Sequence, residues 1–152
     1  MRIIAFDPGA TTGVAELEIN QRLFTIVTHQ LPNAHAVLWD TLNRMRPDII
    51  VYEQFLHQQR IKADYTPVEM IGVIKLYAAF HEISLVGQTP ATGKAFWTND
   101  KLKAIKMPKT DISLYKTNAP HAMDALRHLL HFVTFSLNDD RFVRMQQAES
   151  SR

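Results

Sequence analysis

Two short apolar runs, residues 3–7 and 48–53, each end in a carboxylate. The second run is β-branched, too short for a helix and apolar on both faces, as is typical of a central strand in a parallel sheet. In an open α/β sheet the ligand site lies at the carboxyl ends of the strands. If these strands are neighbours, about 4.8 Å apart, Asp7 and Glu53 converge at one edge of the sheet.

Hydrophobic patterning predicts three further strands. Residues 12–18 and 23–30 are strand-like runs, and Asn20 and Gln21 between them suggest a hairpin turn. Residues 84–88 form a last short run before a Thr-Pro pair. The chain therefore supplies five strands in all.

Helical spacing appears in three places. The first helix follows Asn33, a natural N-cap, and is stopped by Pro47; the others cover residues 67–83 and 119–137. Strands and helices in this order predict an α/β fold, a hairpin-bearing mixed sheet of five strands with helices on its faces.

The helix at residues 67–83 is apolar around nearly its whole circumference. Such a helix must be buried on two sides, and the sheet covers only one. The second side is expected to meet either another subunit or a neighbouring helix, and the sequence leaves both open.

Length and composition indicate one domain. The 152 residues fit a single domain over residues 1–137, followed by a polar tail, residues 138–152, that is expected to fray. Cysteine is absent, which excludes disulfides, thiolate zinc sites and thiol nucleophiles. No segment approaches the roughly 20 apolar residues of a membrane span, and the N-terminus lacks the pattern of a secretory signal. The cytoplasm is the expected location.

The last predicted helix adds two candidate ligands to the paired carboxylates. His121 and Asp124 are three residues apart and therefore share one helix face. Each residue alone is as well explained by helix capping or a strand-end turn. Together with Asp7 and Glu53 they make a set that can hold two divalent ions, and oxygen ligands suit Mg²⁺ or Mn²⁺.

Lysines are concentrated between residues 94 and 116. That segment has six lysines against two acids, so its net charge of +4 exceeds the +2 of the whole chain. A solvated loop explains such a run in general, but beside a metal site contacts with nucleic-acid phosphates become the better interpretation. The lysines expected to contact DNA are Lys94, Lys101, Lys103, Lys106, Lys109 and Lys116.

Three motifs carry a family resemblance. The sequences DPGATTG after the first strand, IIVYEQF and HAMDALRHLLHF occur in this order. They resemble the RuvC-type Holliday-junction resolvases of the RNase H-like superfamily, particularly the short forms carried by bacteriophages. The resemblance extends from residue 1 to about residue 135. It implies an RNase H-like fold and a nuclease that cuts four-way DNA junctions with two metal ions.

The resemblance also implies roles for individual residues. The acids of the first and fourth strands and two residues of the last helix bind the metals in that family, which corresponds to Asp7, Glu53, His121 and Asp124. Most members have Asp where this chain has His121. Because imidazole suits Mn²⁺ better than Mg²⁺, we expect activity with Mn²⁺ at least equal to that with Mg²⁺. Lys94 is expected to reach the scissile phosphate and stabilise the transition state.

The segment after Glu53 mixes aromatic and basic residues. Exposed aromatics there can stack on unpaired bases, although Phe55 can equally pack in the core. The resemblance places the corresponding loop at the junction centre and implies a homodimer formed through the helix at residues 67–83. The candidate DNA contacts in this loop are Phe55, Arg60, Lys62 and Tyr65.

Other functions are compatible with parts of the pattern. The DPGATTG loop is similar to the phosphate loops of sugar kinases and actin-like ATPases, but those proteins need two such domains around the nucleotide. An RNase H-type nuclease acting on hybrid duplexes and an inactive nucleic-acid-binding module also remain. A dead module, however, has no reason to keep all four candidate ligands.

Overall fold

The computed structural model describes residues 1–20, 23–55, 64–106 and 114–150. Five strands form one mixed sheet, and helices cover both faces. No helix in these described ranges is both long enough and apolar enough to cross a membrane. The strands are β1 (Arg2–Pro8), β2 (Thr12–Asn20), β3 (Leu23–Leu31), β4 (Ile49–Glu53) and β5 (Ser84–Gln88). The helices are α1 (His35–Met45), α2 (Thr66–Phe80), α3 (Pro90–Phe96), α4 (Asn99–Ala104), α5 (Pro120–His131) and α6 (Arg141–Ser150).

Strand β1 lies at the centre of the sheet. The strand order is β3-β2-β1-β4-β5, with β1 antiparallel to β2 and parallel to β4. Phe6 pairs with Tyr52, so the next residue on each strand, Asp7 and Glu53, lies at the same edge. The two carboxylate-terminated strands are therefore parallel neighbours, the condition under which Asp7 and Glu53 were expected to converge.

Alternate residues of β1 face two separate hydrophobic layers. Ile3 and Ala5 pack with α5, whereas Ile4 and Phe6 pack with α1 and α2. All four side chains are fully buried. The α/β class, the mixed sheet and its five strands follow the expectation from the sequence.

Helix α2 buries one face and exposes another. Met70 and Ile74 are buried against the sheet, and α1 packs alongside, with Trp39 and Tyr77 meeting edge to face at 5.0 Å. A neighbouring helix therefore covers part of the second side. An apolar stripe on the outer side stays exposed in this single chain: Val68, Leu76 and Phe80.

The first part of the lysine-rich segment, for which no secondary structure was predicted, contains two helices, α3 and α4. Between α3 and α4, Trp97 is fully buried, and Leu102 of α4 is fully buried as well. The sequence of this segment shows no extended helical repeat of hydrophobic residues, because α3 and α4 each contribute only one or two residues to the core. Lys94 lies on α3, and Lys101 and Lys103 lie on α4.

Two local expectations are wrong. Asn33 does not cap α1, because the residue at the cap position is Ala34 and the Asn33 side chain bonds elsewhere. The tail does not fray as a whole, since α6 covers Arg141–Ser150 and Phe142 is fully buried, 4.9 Å from the ring of Phe24. Phe142, with Val143 and Met145 partly buried beside it, attaches this helix to the core.

Candidate active site

The carboxylate of Asp7 is the most buried of the four predicted site residues. Asp7 is 4% exposed, and its Oδ2 lies 2.8 Å from Nδ1 of His121. Burial, and next the nearby charge of Glu53, raise the pKa of Asp7 to about 6, although the bond with His121 opposes the rise. Burial and the neighbouring carboxylate therefore both disfavour the charged form of Asp7.

His121 is held against Asp7 by unusually close backbone packing. A Cβ at Gly9 would overlap the His121 imidazole, and a Cβ at Gly13 would overlap the His121 carbonyl. The backbone N–H of His121 also donates to Oε1 of Gln30 at 3.2 Å. Glycines in the DPGATTG motif thus allow the first turn of α5 to lie directly on β1 and β2.

The loop between β1 and β2 is braced by Asn33. Its Nδ2 donates to the carbonyls of Gly9 and Ala10 at 2.9 and 3.2 Å, and its Oδ1 accepts from the Thr12 hydroxyl at 2.7 Å. The side chain that looked like a helix cap instead fixes the loop that contacts His121.

Glu53 meets a residue outside the four predicted ligands. Its Oε2 lies 2.8 Å from Nε2 of His128, whose Nδ1 lies 2.7 Å from Oε1 of Gln88. His128 is 1% exposed. His128 could have been found from the sequence, because it lies one turn after Asp124 on the same helix face. Gln88 could not, because only its pairing with Glu53 across β4 and β5 brings it to the site.

Asp124 is paired with two cations. Lys94 Nζ lies 2.8 Å from its Oδ2, and an Arg127 nitrogen lies 2.5 Å from its Oδ1. The hydrogen bond to Asp124 is the main cause of a raised pKa for Lys94, and the charges of Glu53 and Asp7 add to it. Lys94 therefore lies beside the carboxylates, as its position in the sequence suggested, while the place of Arg127 was missed.

The four predicted ligands gather at one end of the sheet as separate pairs. Asp7 pairs with His121, Glu53 with His128, and Asp124 with Lys94. Within the described ranges, no three His, Asp or Glu side chains stand as a ready-made metal-binding group. The donors are nevertheless of the kind that divalent ions take, three carboxylates and an imidazole.

Two of the other predicted DNA contacts, Phe55 and Tyr65, are exposed. Phe55 is 38% exposed and helps to line a surface cavity of about 310 Å³ with Tyr52 and Lys75, and Tyr65 is 56% exposed. Phe55 is therefore not a core residue. Predicted contacts that fall outside the described residues are Arg60, Lys62 and Lys109.

The described lysines beyond Lys94 are not at the carboxylates. Lys101 lies over the ring of Phe96, 3.8 Å from its centroid, and Lys103 lies 3.4 Å from Asp100. The Lys116 ammonium donates to the Thr28 carbonyl at 2.6 Å. Lys106 follows α4 and is half-buried. The contacts of Lys101, Lys103 and Lys116 are thus with residues other than the four predicted ligands.

Comparison with known proteins gives a likeness at the level of structure only. No protein-family model and no curated protein matches the sequence. Thermus thermophilus RuvC in complex with a Holliday junction substrate superposes with a TM-score of 0.66 at 16% identity, over 91% of this chain and 96% of that chain. The chain has the RuvC fold. RuvC from the same organism, in a second structure, gives a TM-score of 0.61 at 14% identity over the same shares.

A second resolvase shares the RuvC fold. The yeast mitochondrial Holliday junction resolvase Ydc2 gives a TM-score of 0.50 at 12% identity, over 98% of this chain and 80% of that chain. The RNase H-like fold implied by the three motifs is thereby confirmed. At these identities the likeness concerns the RuvC fold, and the activity of this chain has to be argued from its own residues.

Proposed function

We propose that this chain is a metal-dependent endonuclease that nicks phosphodiester bonds at four-way or other branched DNA junctions. One observation carries the proposal: in a RuvC fold, Asp7 and Glu53 end adjacent parallel strands beneath His121 and Asp124 of α5. The carboxyl edge of an α/β sheet is where such folds bind ligands. The fold match to a RuvC structure with bound junction supports branched DNA as the substrate.

Asp7, Glu53, His121 and Asp124 are the residues that would hold two divalent ions, Mg²⁺ or Mn²⁺. The raised pKa of Asp7, caused by burial and by the charge of Glu53, supports a cation at this site because added positive charge would relieve that repulsion. Two ions bound there supply an activated water and stabilise the leaving oxygen. Cation binding would require His121 and Lys94 to give up part of their present pairing with the two aspartates.

Lys94 provides positive charge at the edge of the site. Its ammonium is 2.8 Å from Asp124, and its side chain is 49% exposed, so it can turn toward an incoming phosphate. Arg127 pairs with the other carboxylate oxygen of Asp124, Oδ1, and would keep that contact if Lys94 turned away. Its Nε also donates to the Trp97 carbonyl at 2.9 Å. We assign Lys94 to the scissile phosphate, where its charge stabilises the transition state.

Two groups of residues would bind the DNA around the cut. Phe55 and Tyr65, both exposed beside Glu53, would stack on unpaired bases at the branch point, aided by Arg60 and Lys62. The remaining lysines would neutralise phosphates of the junction arms. These are Lys101, Lys103, Lys106, Lys109 and Lys116.

A symmetric dimer would place two such sites on a junction. A four-way junction is two-fold symmetric, so paired nicks call for two copies related by a two-fold axis. The exposed apolar stripe of α2, formed by Val68, Leu76 and Phe80, supports this helix as the contact. A host cytoplasm and a bacteriophage source remain predictions from the resemblance.

Cleavage assays with matched substrates test the proposal. The wild-type chain and Asp7→Asn are incubated with a mobile four-way junction, a fork and an RNA–DNA hybrid, each with Mn²⁺ or Mg²⁺. We expect symmetric nicks on the junction by the wild type only. Cleavage confined to the hybrid would instead identify an RNase H-type nuclease, and junction binding without any cleavage would identify an inactive binding module.

A further inference from the structure

The pairing of Glu53 with His128 is not explained by the four proposed ligands. We propose that His128, held by Gln88, is a positioning residue that fixes the Glu53 carboxylate for a divalent cation. The inference rests on the proposed function. It adds a role for β5, which carries no acidic residue but ends at Gln88.

Both ring nitrogens of His128 are engaged. Nδ1 lies 2.7 Å from Oε1 of Gln88, and Nε2 lies 2.8 Å from Oε2 of Glu53. The amide group of Gln88 can present either its oxygen or its nitrogen to Nδ1. In both arrangements Nε2 carries a hydrogen, because a lone pair there would face the carboxylate. The imidazole therefore donates to Glu53.

The ring has little freedom to leave this position. His128 is 1% exposed and Gln88 is 7% exposed. A Cβ at Gly93 would lie 3.0 Å from the backbone nitrogen of His128, so α3 lies close against α5 at this residue. Gln88 pairs directly with Glu53 in the sheet, which places the two side chains that contact His128 on neighbouring strands.

Among the described residues, the hydrogen bond with His128 engages one oxygen of Glu53 and leaves the other without a hydrogen-bond partner. Only Oε2 is bonded to His128, and the Glu53 side chain is 17% exposed. A glutamate side chain has several rotatable bonds, and holding it in one orientation before an ion arrives removes that ordering cost from binding. Hydrogen bonds that orient metal ligands typically change metal affinity by about 10- to 100-fold.

Metal-binding measurements on His128 variants test the role. Calorimetric titration with Mn²⁺ alone compares the wild type with His128→Ala, His128→Asn and His128→Gln. At position 128 a glutamine amide can take the place of Nε2, whereas an asparagine amide takes that of Nδ1. We therefore expect Mn²⁺ binding to be about 10- to 100-fold weaker in His128→Ala and His128→Asn, and to be restored in His128→Gln. His131→Ala, one turn later on the same helix, is the control and should bind Mn²⁺ like the wild type.

A double-mutant cycle separates positioning from packing. In a Glu53→Gln background, His128→Ala should cause no further loss of Mn²⁺ affinity, because the carboxylate that it orients is gone. Additive losses, or a Gln variant as weak as the Asn variant, would overturn the inference while leaving the nuclease proposal intact.

Ring nitrogen NMR tests the contact without metal or activity. Glu53→Gln and Gln88→Ala should each shift the ¹⁵N resonances of His128, and this measurement applies even if His128→Ala fails to fold. Unshifted resonances would overturn the inference. If the wild type neither binds Mn²⁺ nor cuts any junction, the proposed function itself fails, and the inference fails with it.

Discussion

At the scale of single residues, the carboxylates of Asp7 and Asp124 differ in their surroundings. Asp7 is buried beneath His121 with its pKa raised to about 6 by burial and by Glu53, whereas Asp124 is partly exposed between Lys94 and Arg127. Each histidine of α5 that enters the site meets a different acid. His121 is the residue whose chemistry sets the proposed metal preference.

Replacing His121 by Asp should move the metal preference toward Mg²⁺. Oxygen ligands suit Mg²⁺, whereas imidazole favours Mn²⁺. The ratio of junction-nicking rates in Mn²⁺ and Mg²⁺ is the measurement, and we expect it to fall. His35→Asp, at an exposed histidine on α1 that pairs with Glu69, is the control. An unchanged ratio in His121→Asp would refute the assignment.

Gly9→Ala tests how strictly His121 is placed. The added methyl would overlap the imidazole ring, so the ring or the loop must shift. A displacement of about 1 Å at a catalytic group can cost about 100-fold in rate, and we expect a loss of that order in junction nicking. Ala10→Ser, at the exposed neighbouring position, should retain the wild-type rate. Full activity of Gly9→Ala would show that His121 has room to move.

At the scale of elements, the two faces of α2 have different surroundings. Its inner face packs on the sheet beneath β1 and β4, and its outer face keeps an apolar stripe exposed. Exposed apolar stripes of this kind mark interaction surfaces. We therefore expect the proposed dimer contact and the proposed metal site to be disturbed by different substitutions.

Leu76→Glu should disrupt the dimer but leave the metal site intact. Leu76 is 62% exposed in the single chain, so the new charge is tolerated there and is unfavourable only inside an interface. Sedimentation at micromolar concentration should show a dimeric wild type and a monomeric variant, with paired nicking lost and Mn²⁺ binding kept. Val27→Glu, at a half-exposed position on the edge strand β3, should remain dimeric. A monomeric wild type would contradict the dimer.

At the scale of the whole molecule, the near-neutral charge divides into opposed regions. The chain carries a net +2, yet residues 94–116 alone carry +4. Acids concentrate at the sheet edge, while Lys101 and Lys103 lie on α4 and Lys116 lies against β3. A polyanion approaching the site therefore meets positive charge on the flanks of the carboxylates.

Removing single lysines should weaken junction binding in a salt-dependent way. Lys103→Ala and Lys116→Ala should each make the slope of log affinity against log salt concentration shallower by about 0.9, because each lysine releases about one counterion. Fluorescence anisotropy with a labelled junction at several salt concentrations measures the slope. Arg2→Ala, at the opposite end of β1 from Asp7, is the control. Slopes equal to that of the wild type would exclude phosphate contacts by these lysines.

The sequence by itself determined the class of fold, the two strands that end in carboxylates and the four candidate ligands. Those features depend on hydrophobic period and strand direction, which are local properties of the chain. Only the tertiary structure decided the partners: His128 for Glu53, Asn33 on the loop rather than on α1, and Phe142 in the core. Each of these contacts joins residues from different elements or depends on how α5 is rotated against the sheet. Local hydrophobic spacing does not encode such contacts, because they bring together residues that are far apart in the sequence.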